Sequence, residues 1–453
     1  MKLKSVKLQN FRAIQELELP LHPQLTVFVG NNADGKTTIL DAIAIGLGAI
    51  LTRLPKIKGR NFGKSDLRQS LKKTDKRPKI TDSLIKHIEY APFVRVTLTA
   101  ETVEKTTLIW DRTQNAKKIK SKDFYSPLKL AQLNEYLDKI IEAIDKEAEA
   151  EVYLPVVAYY GTERAVLHNA VRNFNKDFDR YKALERALEA DQRLSEMLQW
   201  FAFQEDIERR LREAQQDYTI NLPVLEAVKK AICQIIPYSS NPRTLLNPLH
   251  LIVTIEHPGW TEPEILSLEQ LSDGYRTTLA MCMDLARRLA QANPFYGVDS
   301  CLAPAVVLID EIDLHLHPSW QQTILRTFCQ IFPNVQFIVT THSQAVLTTV
   351  KTENLWQLER CKENGICAYR PIINPYGSES HRVLHSIMHV DPRPQNLPEV
   401  ANLQDYLHMV NHGEYDTKEA FALRQKLEDS LGKDEPGLNL ADMLIRKHKV
   451  LGS

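Results

Sequence analysis

Several things are missing from this 453-residue chain, and each absence narrows what it can be. Net charge is missing: 57 lysines and arginines face 57 aspartates and glutamates, so no global basic field draws the protein to nucleic acid. Two stretches, 56–79 and 105–122, are locally basic, and a solvated face is the simpler reading of both. Long apolar runs are missing too. The longest, 42–51, contains Gly46 and Gly48 and is far too short to span a bilayer. Lys2, Lys4 and Lys7 meet no apolar stretch before Pro20 and Pro23, so a signal peptide is not expected. The six cysteines show no CxxC spacing; Cys361 and Cys367 are the nearest pair. Cysteines scattered over apolar stretches are expected to be buried, reduced thiols of a cytoplasmic protein. No internal repeat or low-complexity segment is present, and the helical stretches are too interrupted for a long coiled-coil arm. With 43% apolar residues, disorder over most of the chain is excluded, and the length allows two or three domains.

What is present is periodic. Leu3, Val6 and Leu8, then Leu17 and Leu19, alternate with polar neighbours, with Asn10-Phe11-Arg12 at the bend, which predicts a hairpin of half-buried strands. Residues 25–29 form a short continuous apolar run, the mark of a strand buried on both faces; 154–160, 304–309 and 335–341 are of the same kind. Helical spacing is read at 37–50, 131–150, 273–291 and 320–331. Residues 93–100 and 106–110 alternate as an antiparallel pair, and 249–255 and 265–268 are strand-like. The basic, irregular stretch 51–83 reads as a surface excursion. Residues 165–236 are mostly helical, with breaks at Asp191 and Asn221-Leu222-Pro223, and 397–453 is amphipathic and helical, with turns at 411–413 and 434–437. Apolar strands alternating with helices predict a parallel sheet covered on both faces.

The candidate chemistry lies at the ends of those strands. Gly30-Asn31-Asn32-Ala33-Asp34-Gly35-Lys36-Thr37 fits the phosphate-loop pattern G-x-x-x-x-G-K-[ST], with a buried strand before it and a helix after it. From Gly30 to Thr38, backbone N–H groups would face phosphate oxygens at the positive end of the helix. Lys36 would reach the β- and γ-phosphates, and the Thr37 hydroxyl would sit on Mg²⁺. After the strand at 304–309, Asp310 can hold Mg²⁺ through water and Glu311 can polarise the attacking water. An acidic loop after a strand is common in itself, but a phosphate loop in the same chain makes that the weaker reading. Thr340-Thr341-His342-Ser343 follows the next buried strand; a lone histidine there is often structural, yet His342 lies where a γ-phosphate sensor is wanted. Between these motifs, Leu271-Ser272-Asp273-Gly274 opens a helix with a Ser-x-Gly turn, a donor surface for the γ-phosphate of ATP held by a second copy.

Together these residues resemble the ABC-type ATPases of the recombination and chromosome-maintenance class, the RecF/SMC/OLD-like group. The resemblance implies an α/β fold: an ABC-type P-loop NTPase head with an inserted helical subdomain and a C-terminal helical extension. Its divisions would be 1–164 (first ATPase lobe with the phosphate loop), 165–240 (helical insertion), 241–375 (second lobe with signature, Walker B and switch histidine) and 376–453 (helical partner-binding region). It further implies that Arg12, in Asn10-Phe11-Arg12, approaches bound nucleotide, and that Ser272 and Gly274 of one subunit complete the other's site. Three positions depart from the family pattern. Ala33 and Asp273 stand where glycine is common, and His317, in Leu314-His315-Leu316-His317-Pro318, stands where an aspartate is common. The Mg²⁺-touching glutamine loop is not identifiable, and Tyr159-Tyr160-Gly161-Thr162-Glu163-Arg164 occupies its place.

A narrower resemblance, carried by 154–164, 271–276, 310–318 and the stretch from Asn374-Pro375-Tyr376-Gly377 through Arg393-Pro394, is to the PtuA-type ATPases of Septu antiphage systems; related ATPases accompany some retrons. It implies ATP and Mg²⁺ as cofactors, a homodimer or higher oligomer joined through the ATP sites, and a PtuB-like HNH nuclease subunit as partner. DNA or another nucleic acid would be reached through that complex. After His342 the chain has neither a DxD pattern nor an HNH-like cluster, so cutting would have to come from the partner. His381, His385 and His389, spaced i, i+4, i+8 near Asp391, could bind Zn²⁺, but without H-E-x-x-H a wet helix face or partner-contact surface is the simpler account. Two other functions stay open: a RecF-like repair ATPase acting on DNA ends or gaps, and a nucleotide-gated scaffold with negligible turnover.

Overall fold

Alternation in the first segment becomes a ladder: β1 (Lys2–Phe11) pairs antiparallel with β2 (Ile14–Pro20), Val6 opposite Leu19 and Leu8 opposite Leu17. Asn10 and Arg12 take positive φ at the bend. The computed structural model describes residues 1–71, 88–116, 130–146, 151–162, 178–190, 194–246, 248–259 and 261–451. They divide into two compact units, Met1–Ser380 and His381–Ser453.

In the first unit, β3 (Leu25–Val29) runs through the phosphate-loop stretch into α1 (Lys36–Arg53). The short pair β4 (Gln69–Leu71) and β5 (Ile88–Tyr90) follows; residues 72–87, among them 72–83 of the basic excursion, lie outside the described residues. Strands β6 (Phe93–Glu101) and β7 (Thr107–Asn115) complete a four-stranded antiparallel sheet in the order β2-β1-β6-β7. Helix α2 (Leu130–Lys146) buries Leu133, Leu137, Ile140 and Ile144, one stripe at helical spacing, and packs on β7. Helix α1 touches both this sheet and the parallel one, so it is apolar almost throughout, and the Trp110 indole donates to Gly46 O at 2.9 Å. Gln336 ties the two sheets together, its amide bonding both Leu3 N and Leu3 O at 2.7 Å.

Next come β8 (Val156–Tyr160), α3 (Leu194–Gln215), α4 (Pro223–Ile235), the strands β9 (Ser239–Leu245), β10 (His250–Ile255) and β11 (Glu264–Ser267), and α5 (Asp273–Ala292). Then follow β12 (Ala305–Ile309), α6 (Pro318–Gln321), α7 (Ile324–Ile331), β13 (Val335–Thr340), α8 (Gln344–Leu347), β14 (Leu355–Cys361) and β15 (Gly365–Tyr369). The central sheet has the order β15-β14-β3-β13-β12-β8; all its pairings are parallel except β14 with β15 at the edge. Every residue of β8, β12 and β13 is buried, so both faces are covered, as continuous apolar strands require. The phosphate loop, Asp310 and His342 therefore all stand at the carboxyl ends of parallel strands, where an α/β sheet opens to ligands.

Two expectations are corrected, and two elements were not anticipated. The helix read at 320–331 is two helices, because Pro318 starts α6 and the chain turns at Gln322-Thr323 before Ile324, Leu325, Phe328 and Ile331 face the core. Strand β9 was not read: Asn241 and Pro242 break its alternation, and its ladder shifts register there. The β14–β15 hairpin was missed for want of an apolar run. Its turn brings Cys361 and Cys367 together as a disulfide, which overturns the expectation that all six cysteines are reduced. The other four are free thiols, and burial pushes Cys301 up to about 12 and Cys329 up to about 11. Of the helical stretch 165–236, residues 163–177 and 191–193 lie outside the described residues; a 3-10 turn (Tyr181–Leu184), α3 and α4 occupy the rest.

The second unit holds α10 (Pro398–Asn411), α11 (Lys418–Leu431) and α12 (Pro436–Leu451) around Leu403, Tyr406, Val410, Leu427 and Leu438. Helix α9 (Ser380–Ser386) carries His381 and His385, whereas His389 lies beyond its end at φ 54, so the three histidines do not share one helix. Among the described residues no helix is long and apolar enough to cross a membrane.

The most charged element of the core is α5. Asp284 is buried, takes ion pairs from Arg287 (2.7 Å) and Arg288 (2.6 Å), and accepts from the Tyr160 hydroxyl at 3.0 Å. Burial alone would raise its carboxyl, but the two guanidinium groups outweigh that and hold it below the usual carboxylate range. Its stabilisation is therefore complete above the unfolded carboxylate value and is lost as pH falls through the depressed folded one. We expect Asp284→Asn to cost about 3–5 kcal/mol at pH 7, by stranding two buried cations. In urea denaturation the gap from wild type should shrink only at strongly acid pH; a gap independent of pH would contradict this.

Candidate active site

The candidate phosphate loop begins where β3 ends and is held by its own side chains. Asp34 is buried and its Oδ2 accepts from Asn31 N at 2.7 Å, closing the turn. Gly35 caps α1 at φ 89, and a Cβ there would lie 2.3 Å from Ile366 on β15. Because glycine offers no capping side chain, the N–H groups ahead of the first helical bond (Ile39 N to Gly35 O, 2.9 Å) are left for a ligand. The Lys36 ammonium folds back, donating to Gly30 O at 2.9 Å and Asn31 O at 2.8 Å. Burial lowers its pKa below the ordinary lysine range, against the raising effect of Asp34, Asp310, Glu311 and Asp313. An anion in the loop would relieve that cost. Asn31, Asn32, Ala33 and Thr37 are exposed along the rim, and Thr38 is half-buried. Ala33 sits at φ 70, a conformation that costs an L residue roughly 1–2 kcal/mol, which explains why glycine is the easier residue here. Its carbonyl accepts from Arg360 on β14 at 3.3 Å.

The three strand ends meet on one carboxylate. Asp310 Oδ2 accepts from the Thr37 hydroxyl at 2.8 Å, and its Oδ1 from the buried Thr340 hydroxyl at 2.6 Å. Thr340 Oγ1 in turn accepts from Glu311 N at 2.7 Å, fixing Glu311 in a left-handed conformation at φ 47. A residue held at such a backbone angle is strained, and the Thr340 bond keeps it there, beside Asp310 at the end of β12. Thr37 and Asp310 offer hard oxygens side by side, which fits Mg²⁺. Among the described residues no three histidine, cysteine or acidic side chains gather into a metal cluster, so the cation's other ligands would be water and phosphate. His342 is half-buried just beyond β13, its N–H donating to Asp313 Oδ1 at 3.3 Å.

The candidate signature turn lies at the start of α5. Ser272 is the N-cap residue, exposed, and its side chain makes no capping bond. Gly274 is buried where a Cβ would lie 2.5 Å from His315 O, so only glycine lets α5 seat on the loop after Glu311. Asp273 is exposed and ion-paired to Arg276, whose Nε is buried without a partner.

Arg12 is placed apart from the loop's polar contacts, its guanidinium at 2.8 Å from both Asp41 and Asp66. Asp41 also takes Arg60 at 2.7 Å and the Tyr159 hydroxyl at 3.2 Å, while Arg60 stacks over the Tyr159 ring. Tyr159 and Tyr160 thus point into the core, and Glu163 and Arg164 lie outside the described residues. Sequence reading missed Asp41, Asp66, Asp313, Gln321 and Arg360. Asp313 could have been found as the second acid of Asp310-Glu311-Ile312-Asp313; nothing in the sequence marks the others.

A family model described as an AAA ATPase domain matches residues 1–347. The chain is 28% identical to the "Retron Ec83 probable ATPase" of Escherichia coli, over 99% of this chain and 87% of that protein. It is 45% identical to the "Septu protein PtuA" of Bacillus mycoides (strain KBAB4), over 17% of this chain and 10% of that protein. Among solved structures it matches the SMC head domain from Thermotoga maritima at TM-score 0.42 and 15% identity, covering 82% of this chain and 100% of that one. We expect Thr340→Val, which strands Glu311 N and removes one donor from Asp310, to destabilise the chain by roughly 1–3 kcal/mol in chemical denaturation. An unchanged midpoint would show that the hydroxyl does not hold this corner.

Proposed function

The chain belongs to the AAA ATPase domain family over residues 1–347, and from that membership we propose that it binds and hydrolyses ATP as the ATPase subunit of an antiphage defence complex. Its partner would be a PtuB-like HNH nuclease, which it restrains or licenses and which degrades nucleic acid. The retron and Septu relatives support this setting; the observation that carries the chemistry is the Thr37–Asp310–Thr340 hydrogen-bonded corner.

Each residue has a part in that reading. Backbone N–H groups from Gly30 to Thr38 cradle phosphates, and Lys36 exchanges its two carbonyl partners for β- and γ-phosphate oxygens. Thr37 and Asp310 would hold Mg²⁺, which when bound neutralises charge on the phosphates. Glu311 accepts a proton from water as that water's oxygen bonds to the γ-phosphorus and the bond to the ADP oxygen breaks. His342 faces the γ-phosphate. Ser272 and Gly274 act on the nucleotide of a second copy, so ATP joins a homodimer or higher oligomer and hydrolysis releases it. The Arg12 pair with Asp41 and Asp66 couples β1 to α1 beside the loop, and a rearrangement of that pair would bring Arg12 toward nucleotide. The helices of 165–236 and the C-terminal helices of 376–453 are the proposed docking surfaces for the nuclease.

Two variants test this. Glu311→Gln should keep ATP binding, reduce turnover by about 10²-fold or more, and trap an ATP-bound dimer in light scattering; full turnover would refute the role of Glu311. Asp273→Gly removes a carboxylate from beside the neighbour's γ-phosphate and frees Arg276, so ATP-dependent association should tighten several-fold, by about 1 kcal/mol. Unchanged association would show that Asp273 faces elsewhere.

A further inference from the structure

Two routes of hydrogen bonds tie the segment after Glu311 to the His342 turn, through Thr341 and His342 N on one side and Ser343 on the other. On the first, Asp313 Oδ1 accepts from the Thr341 hydroxyl at 2.6 Å and from His342 N at 3.3 Å. On the second, Gln321 at the end of α6 accepts from the Ser343 hydroxyl at 2.6 Å, while its Nε2 donates to Leu316 O at 2.9 Å and to Asp313 O at 3.5 Å. Ser343 Oγ also accepts from Val346 N as the N-cap of α8. The clamp needs a side chain that donates and accepts at once. Glutamine does both, glutamate cannot donate to Leu316 O, and alanine does neither. The segment carrying Gln321 is itself braced by α5: Gly274 closes on His315 O, and Tyr275 packs on Trp320 with ring centroids 3.8 Å apart.

We propose that Gln321 is a positioning residue for ATP hydrolysis, fixing His342 relative to Glu311 through its bond to Ser343. The proposal rests on the reading of His342 as facing the γ-phosphate. Gln321 does not reach nucleotide in this role, so its loss slows turnover without weakening ATP binding.

The test is steady-state ATP hydrolysis by the full chain carrying Gln321→Ala, Gln321→Glu, Ser343→Ala, Ser343→Thr, or the Gln321→Ala/Ser343→Ala pair, with thermal midpoints measured alongside. In Gln321→Ala, kcat should fall about tenfold or more while KM for ATP stays within about twofold. Ser343→Ala should fall similarly, and the pair should be no slower than the worse single variant, because the Ser343–Gln321 bond is already lost in each single variant. Ser343→Thr keeps the hydroxyl and should retain turnover; Gln321→Glu keeps the acceptor and should fall between. If Gln321→Ala does not fold, Gln321→Glu against Ser343→Ala carries the same comparison. Unchanged kcat, KM rising in step with lost kcat, or multiplied losses in the pair would each overturn the proposal. Failure of the underlying reading is distinguishable: His342→Ala would then leave turnover unchanged, or wild-type hydrolysis would be absent or insensitive to Lys36→Ala, before any clamp variant is compared.

Discussion

The Asp310 carboxylate is the point on which the site depends. It joins three segments far apart in sequence, accepting one hydroxyl from the start of α1 and another from the end of β13 while standing at the end of β12. A buried carboxylate is costly unless its oxygens are bonded, and hydroxyl donors satisfy it without bringing a second charge. The register of the parallel strands makes this possible. Leu308 pairs with Ile338 and Val339 with Val27, so the three strands end nearly level and their following residues converge. A slip in that register would separate the Thr37 and Thr340 hydroxyls from Asp310.

Strain collects around the same point. Ala33 and Glu311 both take left-handed backbone angles, and each is held by a bond from elsewhere: Ala33 O by Arg360, Glu311 N by Thr340. Rigid surroundings keep such conformations in place, and the fully buried strands of the central sheet supply them. The β14–β15 hairpin belongs to those surroundings, since Ile366 lies against Gly35 and the Cys361–Cys367 disulfide ties its two strands together. The departure at Ala33 thus has a physical account, a strained residue braced by an arginine. The departure at Asp273 has one as well, in the Arg276 ion pair that occupies its charge.

Much of the fold was legible because its signals are local. The continuous apolar run at 25–29 is a strand to the residue, the one read at 304–309 is a strand from 305, and the alternating first segment is the expected hairpin. What escaped were elements defined by their neighbours. Strand β9 pairs through a bulge at Asn241-Pro242, and β14–β15 is half polar because it lies at the sheet edge. The division of α6 from α7 lies in the turn at Gln322-Thr323, which no periodicity marks.

For the site, the sequence by itself marked the glycine-lysine loop 30–38 after one buried strand, the acids after another, and Ser272 as the start of a helix. Glycine, lysine, hydroxyl and paired carboxylates at fixed spacing are demanded by phosphate chemistry within a few residues of chain. Only the tertiary structure decided that Thr340 and Thr37 share Asp310, that Arg12 is held by Asp41 and Asp66, and that Asp313 and Gln321 reach the His342 turn. Those pairings depend on strand order, in which β3 lies between β14 and β13, and strand order is set by burying apolar faces across the whole sheet rather than by any local run of residues.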